Sequence, residues 1–390
     1  MQKFNCFPVQ VCCAGIYIHI PFCVRKCAYC DFLSFPASEE VQKQYGQVLI
    51  KEVRSVCQKM ADKKEGISTV YFGGGTPSLV SADLIERILA VIAESCLLME
   101  NAEITLEMNP GTASIEKMKR YRQAGVNRLS IGMQSFQEEE LKLLGRIHTP
   151  QMAEDAFSMA REAGFSNISL DLMSGLPGQT MEGWKKNLEK AISLSPEHIS
   201  AYSLIIEEGT PFYERYGEDW SEEHEELDRQ IYEETKAVLG KAGYCRYEIS
   251  NYAKPGFESR HNSSYWMGIP YYGCGLGAAS LVCEGENWIR RSNIRDLAEY
   301  LKADQTPEEE EILSREARME EFMFLGLRMT KGVCTEDFEK RFAESFDEIY
   351  GKAAEKLLRE GLLEQDGNVL RLTDRGLNLC NYCFEQFLFD

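Results

Sequence analysis

Short apolar segments alternate with helical patterns along the N-terminal part of this 390-residue chain. Each segment has the length and composition of a buried strand, and a stretch with helical periodicity follows it. Strands that alternate with helices pair in parallel, because each helix returns the chain to the starting edge of the sheet. The sequence therefore predicts an α/β fold of six βα units, either an open sheet or a barrel. The predicted strands are residues 17–20, 69–72, 104–107, 128–131, 168–172 and 198–203.

Distinctive motifs follow five of these strands, at the edge where the carboxyl ends of parallel strands meet. In barrels, the loops at this edge form the active site. A single glycine loop could be merely a turn, but motifs at five strand ends favour a partial (β/α)6 barrel with a site at its mouth. The motifs are a cysteine loop after the first strand, GGGTP at residues 73–77, NPG at 109–111, GMQSF at 132–136 and DLMSGLPG at 171–178.

Three cysteines in the first loop, Cys23, Cys27 and Cys30, have the spacing CxxxCxxC. Thiolates with this spacing can bind three irons of a [4Fe–4S] cubane and leave the fourth iron open to a substrate or cofactor. No fourth ligand follows, because Asp31 and Phe32 come next. A structural zinc site needs four closed ligands, usually from two CxxC pairs. We therefore favour an open cluster over a zinc knuckle or three unrelated buried thiols.

Composition excludes several classes of protein. The 14 cysteines are scattered along the chain and would mispair in an oxidising compartment, so we expect reduced thiols and a cytoplasmic location. No apolar run reaches the roughly 20 residues that span a bilayer, and residues 1–14 form a leader without a clear signal peptide or an assigned role. The formal charge of −19 offers no excess of basic residues for phosphates, so nucleic acid is not an expected partner.

The chain divides into unequal parts. We expect the barrel over residues 15–245, a linker with an HNxxYW motif over residues 246–305 and a winged-helix-like domain over residues 306–390. The last segment contains 11 Lys and Arg residues against 20 Asp and Glu residues, which disfavours DNA binding and favours a cover or docking role. Its expected elements are helices at residues 316–328, 335–342 and 346–360, and a hairpin turn at Asp366-Gly367.

Seven sequence strings carry a resemblance to one family: YIHIPFC at residues 17–23, YFGGGTPS at 71–78, EMNPG at 107–111, RLSIGMQSF at 128–136, LGRIHT at 144–149, DLMSGLPGQT at 171–180 and HNxxYW at 261–266. The chain resembles the radical S-adenosylmethionine (SAM) superfamily, and within it the branch of oxygen-independent coproporphyrinogen III oxidase-like proteins and heme chaperones. By this resemblance, the open iron binds the amino and carboxylate groups of SAM. One-electron reduction then cleaves SAM to methionine and a 5′-deoxyadenosyl radical.

Residues at the strand ends suit such a cofactor. Glycines in the second loop let backbone N–H groups approach a ligand, carboxylate and amide side chains can pair with its polar edges, and Arg146 can hold a carboxylate bidentately. Tyr17 shares one face of the first strand with His19, so we expect it at the pocket. The expected cofactor-contact residues are Tyr17, Tyr29, Gly74, Gly75, Thr76, Glu107, Gln134, Arg146 and Asp171.

Two features favour a chaperone over an oxidase. The oxidases of this branch carry a further cysteine two residues after the third ligand, where this chain has Phe32. The chaperones carry HNxxYW, which the resemblance associates with heme, and imidazole is a normal axial ligand of heme iron. Aromatic rings can pack on a porphyrin. We therefore predict heme binding by His261, Tyr265 and Trp266, although a motif that fixes this segment to the core would contain the same residues.

The predicted function is that of a heme chaperone, with a [4Fe–4S] cluster, SAM and heme as cofactors. The alternative is oxidative decarboxylation of coproporphyrinogen III in porphyrin biosynthesis, which would make the protein a radical enzyme. The expected partners are an acceptor protein for heme and a one-electron donor such as a flavodoxin or a ferredoxin. The sequence does not identify the acceptor.

Overall fold

The structure, a computed structural model, describes residues 13–112, 114–217, 222–302 and 307–389. Six neighbouring strands, β1 to β6, pair in parallel in the order of the chain. This arrangement confirms the predicted α/β fold with a partial (β/α)6 barrel. The strands are β1 Cys13–Ile20, β2 Gly66–Gly74, β3 Leu97–Met108, β4 Arg128–Gln134, β5 Ile168–Ser174 and β6 His198–Ser203.

Amphipathic helices connect these strands and bury their apolar faces in one large core. The first three helices begin at serine caps, whose hydroxyls accept a hydrogen bond from a backbone N–H in the first turn. The helices of the barrel are α1 Glu39–Asp62, α2 Ala82–Ser95, α3 Ile115–Gln123, α4 Glu138–Leu143, α5 Pro150–Glu162, α6 Met181–Leu194, α7 Pro211–Tyr216 and α8 Glu222–Lys241.

The segment after the barrel extends the main sheet at both edges. This corrects the expectation of a linker over residues 246–305, because its short apolar runs pair with the edge strands. One strand pairs in parallel with β1 and another antiparallel with β6. The elements are β7 Cys245–Arg246, β8 Asn251–Ala253, α9 Arg260–Trp266, β9 Tyr271–Cys274, β10 Ala279–Glu284, β11 Asn287–Ser292, α10 Leu297–Tyr300 and β12 Glu309–Ile312.

The C-terminal residues build a second hydrophobic core, from Met319 to Phe387. Five helices and a three-stranded antiparallel sheet build this part of the chain, and the first three helices with the sheet give the expected winged-helix-like arrangement. The hairpin turn has Gly367 at a φ of 59°, which glycine adopts readily. The elements are α11 Arg315–Gly326, β13 Val333–Cys334, α12 Thr335–Phe342, α13 Phe346–Arg359, β14 Leu363–Asp366, β15 Val369–Leu372, α14 Asp374–Asn378 and α15 Cys380–Glu385.

Two features of composition have structural counterparts. No disulfide joins two cysteines of the described ranges. Within the same ranges, no helix is both long enough and apolar enough to cross a membrane. His224 and the residues before Cys13, which include most of the predicted leader, lie outside the described side chains.

Candidate functional site

A cavity of about 550 Å³ opens where the carboxyl ends of the parallel strands meet. Its wall includes the three cysteines of the first loop and residues from the loops after β2, β3, β4 and β6. Eight of the nine expected cofactor-contact residues line this cavity, and Tyr17 does not. The strand-end motifs therefore meet at one mouth.

Backbone hydrogen bonds fix the cysteine loop to its neighbours. The Cys23 N–H donates to the Phe35 carbonyl at 3.1 Å. The Ala28 N–H donates to the Leu144 carbonyl at 3.1 Å, and the Ala28 carbonyl accepts from the Phe212 N–H at 3.0 Å. Because these bonds use only the backbone, the loop conformation does not depend on the cysteine side chains.

The three thiols fit a cluster. They are half-buried at the cavity wall, and Nη1 of Arg146 donates to Sγ of Cys27 at 3.6 Å. The guanidinium can donate to a thiolate, which is the form of cysteine that binds iron. No three His, Cys, Asp or Glu side chains of the described residues are placed to hold a single metal ion. A cubane binds each thiolate through a separate iron, so separated thiols around one cavity suit it.

The GGGTP loop after β2 packs directly on the cysteine loop. The N–H groups of Gly75 and Thr76 each donate to a carbonyl within residues 20–22 at 2.8 Å, and the Gly74 N–H donates to Glu107 at 3.3 Å. A Cβ at Gly75 would lie 2.8 Å from a backbone oxygen of the cysteine loop, so the approach requires glycine. The protein thus uses these N–H groups internally, and contact of the three residues with a cofactor stays a prediction.

Glu107 ends β3 inside the cavity and titrates near neutral pH. Its carboxylate accepts from the Tyr71 hydroxyl at 2.7 Å and from the Gly74 N–H at 3.3 Å. Burial raises the pKa of Glu107 to about 7, and the carboxyl of Asp171 adds to the rise. A carboxyl with this pKa changes charge when a ligand or a small pH change favours one form.

We expect SAM binding by the cluster-loaded protein to strengthen as the pH rises from about 6 to about 8. Ionisation of Glu107, whose pKa is about 7, supplies a charged acceptor for ammonium or hydroxyl groups. Below that pKa, affinity should rise by up to about tenfold per pH unit, and above it the affinity should level off.

Equilibrium dialysis across this pH range measures the dependence. Glu107→Gln should flatten the profile, whereas Glu94→Gln, at an exposed position on α2, should keep the wild-type slope. Parallel profiles for the wild type and Glu107→Gln would show that another group controls the pH dependence.

Hydrogen bonds from neighbouring strands fix Asp171 and Gln134. The hydroxyls of Ser130 and Ser169 donate to Asp171 at 3.0 and 3.2 Å, and burial raises the pKa of this carboxyl. Gln134 ends β4 at a φ of 63°, which is uncommon for a residue other than glycine. The Tyr202 hydroxyl donates to its Oε1 at 2.7 Å. Backbone strain of this kind persists where the surroundings fix a side chain in place.

Arg146 joins the cysteine loop to β3 and β4. Its Nη2 donates to Oδ1 of Asn109 at 2.6 Å and to the Gly132 carbonyl at 2.7 Å, while Nη1 approaches Cys27. These contacts occupy part of the guanidinium and hold it at the cavity wall. Bidentate binding of a ligand carboxylate by Arg146 stays a prediction.

Tyr17 belongs to an aromatic layer rather than to the cavity wall. Its hydroxyl lies 3.0 Å from Nδ1 of His19, on the shared face of β1. Its ring stacks with those of Tyr71 and His261, at centroid distances of 6.2 and 6.5 Å. Burial raises the pKa of Tyr17 above its usual value, so the phenol stays protonated. Contact of Tyr17 with a cofactor stays a prediction.

The HNxxYW motif forms α9, and its histidine is fully buried. Nδ1 of His261 lies 2.8 Å from the Thr69 hydroxyl, and Nε2 lies 2.8 Å from the Tyr265 hydroxyl. The imidazole stacks on Tyr71 at 4.9 Å, and burial lowers its pKa to about 3. Both ring nitrogens of this neutral histidine therefore have hydrogen-bond partners, and His261 does not line the cavity.

Tyr265 and Trp266 also lie outside the cavity wall. Tyr265 packs edge-on against Tyr271 at 4.5 Å between centroids. The guanidinium of Arg328, from the C-terminal part of the chain, lies 4.2 Å from the centre of the Trp266 ring. In this conformation His261, Tyr265 and Trp266 make core and interdomain contacts, whereas Asn262 of the same motif lines the cavity. Direct binding of heme by those three side chains would require α9 to move.

Among the polar residues that line the cavity, sequence reasoning did not name Tyr71, Asn109, Arg128 or Tyr202 as contacts. Two signals could have identified them. Asn109 lies inside the EMNPG string, and strand alternation places Arg128 on the same face of β4 as Gln134. An arginine at the start of an otherwise apolar strand needs a reason, since buried arginines are rare.

Comparisons with known proteins identify the class. The Radical SAM superfamily profile matches residues 17–191, and the HemN C-terminal domain profile matches residues 313–379. The solved structure of coproporphyrinogen III oxidase (HemN) from Escherichia coli has a TM-score of 0.82 at 23% identity, over 96% of this chain and 89% of that chain. This likeness shows the fold. Together with the cysteine loop, the fold defines a radical SAM protein with HemN-like architecture, a class that implies a [4Fe–4S] cluster and SAM.

Full-length relatives identify the family within this class. The heme chaperone HemW of Lactococcus lactis is 41% identical over 377 residues, which are 96% of this chain and 97% of that protein. HemW proteins of Bacillus subtilis and Escherichia coli are each 35% identical, over 95% and 96% of this chain and 98% of theirs. The chain belongs to the HemW family.

Proposed function

We propose that this protein is a heme chaperone, which binds heme and passes it to an acceptor protein with the assistance of a [4Fe–4S] cluster and SAM. The observation that carries this proposal is the similarity to HemW proteins of three bacteria, over at least 95% of this chain. Similarity of this extent includes the barrel, the HNxxYW segment and the C-terminal domain, and not the cofactor motifs alone.

Different residues of the cavity would bind the cluster and SAM. Cys23, Cys27 and Cys30 would hold the cluster, and the hydrogen-bonded side chains of Glu107 and Asp171 would bind the polar groups of SAM. Once bound, the cluster would supply one electron and SAM would be the source of the radical. The surrounding protein fixes these carboxyls through tyrosine, serine and backbone donors, so little reorganisation accompanies binding.

The second candidate function is oxidative decarboxylation of coproporphyrinogen III. Its support is the HemN-like fold, and at 23% identity a shared fold does not carry an activity. Phe32 stands where the oxidases of the branch have a further cysteine, and its side chain lines the cavity mouth. Because a phenyl ring neither transfers protons nor binds iron, this position favours the chaperone.

Four exposed apolar side chains surround the cavity mouth, and they support a heme site there. Val24, Phe32, Ile147 and Ile205 are 53–70% exposed, and all line the cavity. They come from three loops, so one local sequence does not explain their convergence. The cationic side chains of Arg25 and Lys26 line the same cavity wall. Heme presents an apolar ring with two carboxylates, which suits an apolar rim with neighbouring cations.

Phe32→Ser is expected to weaken heme binding by about tenfold or more, because burial of an aromatic ring contributes on the order of 1.5–3 kcal/mol. Leu97→Ser is a matched control, since Leu97 is 67% exposed at the opposite end of β3 from the cavity. Heme titration of the cluster-loaded protein, followed by Soret absorbance, measures both affinities. Equal affinities in Phe32→Ser and wild type would exclude the rim, and a wild type that binds no heme would contradict the proposed function.

A further inference from the structure

Arg128 opens β4 with its side chain in the barrel interior, 1% exposed to solvent. It lines the same cavity as Ser130 and Gln134, and it is the lining residue of β4 farthest from the mouth. The residues expected to bind SAM lie nearer the carboxyl ends of the strands. Arg128 therefore marks a deeper part of the cavity, to which neither the sequence nor the proposed function assigns a ligand.

Two nitrogens of this guanidinium, Nε and Nη1, are buried without a hydrogen-bond partner among the described residues. The nearby carboxyls bind other donors instead. Asp171 accepts from Ser130 and Ser169, and Glu107 accepts from Tyr71 and a backbone N–H. Arg128 is thus a buried cation whose Nε and Nη1 have no protein acceptor among the described residues.

Two buried carboxyls, Glu107 and Asp171, lie near Arg128, and against the larger effect of burial its charge lowers the pKa of each. Burial is the main cause that lowers the pKa of both His198 and His261, and the charge of Arg128 lowers them further. Burial also raises the pKa of Glu107 and Asp171, which makes their charged forms less favourable. Both carboxyls accept hydrogen bonds from other donors, so Nε and Nη1 of Arg128 keep N–H groups that an anion entering the cavity can bind.

We propose that Arg128 binds a carboxylate group of a ligand that enters the cavity beneath the SAM site. A planar guanidinium with free N–H groups matches a carboxylate bidentately. The carboxylate can belong to a small free acid or to a propionate of a porphyrin, and the second case rests on the proposed function. The first case is independent of it.

The test uses the full-length cluster-loaded protein with sodium propionate as the anionic probe and propionamide as the neutral probe, at constant ionic strength. Propionate, and not propionamide, should raise the thermal unfolding midpoint of the wild type. The matched control Arg122→Gln removes an exposed arginine of α3 and should keep this response. Arg128→Gln should require at least about tenfold more propionate for the same shift. An unchanged response in Arg128→Gln, or none in the wild type, would overturn the proposal.

A second measurement separates ligand binding from a structural role. Without added carboxylates, Arg128→Met should unfold at the same temperature as wild type or higher, because it removes two buried N–H donors that have no acceptor among the described residues. A midpoint lowered by several degrees would assign Arg128 to the fold and overturn the proposal. If Arg128→Gln lost as much affinity for SAM as for propionate, Arg128 would belong to the SAM site. That result would also overturn the proposal.

Comparison of heme with its dimethyl ester identifies the source of the carboxylate. If the wild type prefers heme and Arg128→Gln does not, the carboxylate is a porphyrin propionate. A lost propionate response with an unchanged preference for heme identifies a small free acid. Either result supports a carboxylate site at Arg128, and failure of heme binding itself would bear on the proposed function alone.

Discussion

A variant in which Cys23, Cys27 and Cys30 are all alanine is expected to contain no iron–sulfur cluster after anaerobic reconstitution. These thiols have the cluster spacing and line one cavity wall. Their loop is held by backbone hydrogen bonds, so removal of the side chains should leave the fold intact. Iron and sulfide content, visible absorbance and the unfolding midpoint measure the outcome.

In the matched control, alanine replaces Cys245, Cys283 and Cys380, whose thiols are partly or fully exposed and lie away from the cavity. This variant should load the same amount of iron and sulfide as the wild type. Retention of iron and sulfide in the first variant would move the cluster to other thiols and contradict the account of the cavity mouth.

His261→Ala is expected to lower the free energy of unfolding by on the order of 2–5 kcal/mol and to leave heme binding unchanged. The substitution removes a fully buried ring and leaves the hydroxyls of Thr69 and Tyr265 without their partner. The unfolding midpoint should fall by several degrees. Thermal unfolding and a heme titration on the same preparation measure both quantities.

The pH dependence of unfolding gives this prediction a second measure. Burial lowers the pKa of His261 from 6.5 to about 3, so between these values the unfolded chain binds a proton that the native chain does not. The histidine therefore makes the protein less stable as the pH falls from 6.5 towards 3, and His261→Ala should lose this part of the acid sensitivity. A lost Soret band with unchanged unfolding would instead place the heme iron at HNxxYW.

The sequence predicts the barrel well because its signals are local. Each parallel strand is an apolar run that ends at a motif, and all six lie where the pattern puts them. The helices of the C-terminal domain have strong amphipathic patterns, and the expected helix at residues 335–342 has the same bounds as α12. The cavity wall follows from topology, since strand ends of a parallel sheet meet at one edge.

Other features depend on tertiary contacts and escape a local reading. The strands β9 to β11 are short, and only the pairing of β9 with β1, of β10 with β9 and of β11 with β10 reveals them. The N–H groups of Gly75 and Thr76 donate hydrogen bonds to the cysteine loop. The glycine pattern alone suggests instead that these groups are available to a ligand. The HNxxYW motif around His261 is typical both of a heme ligand and of a buried core contact. Only the burial of the ring and its two hydrogen bonds distinguish these roles.

We expect this chain to carry heme and not to oxidise a porphyrinogen. Anaerobic incubation of the cluster-loaded protein with coproporphyrinogen III, SAM and a low-potential reductant tests this expectation, with a parallel heme titration of the same preparation. We expect saturable heme binding and no sustained formation of protoporphyrinogen. Formation of protoporphyrinogen over many turnovers per protein would contradict it and establish the oxidase.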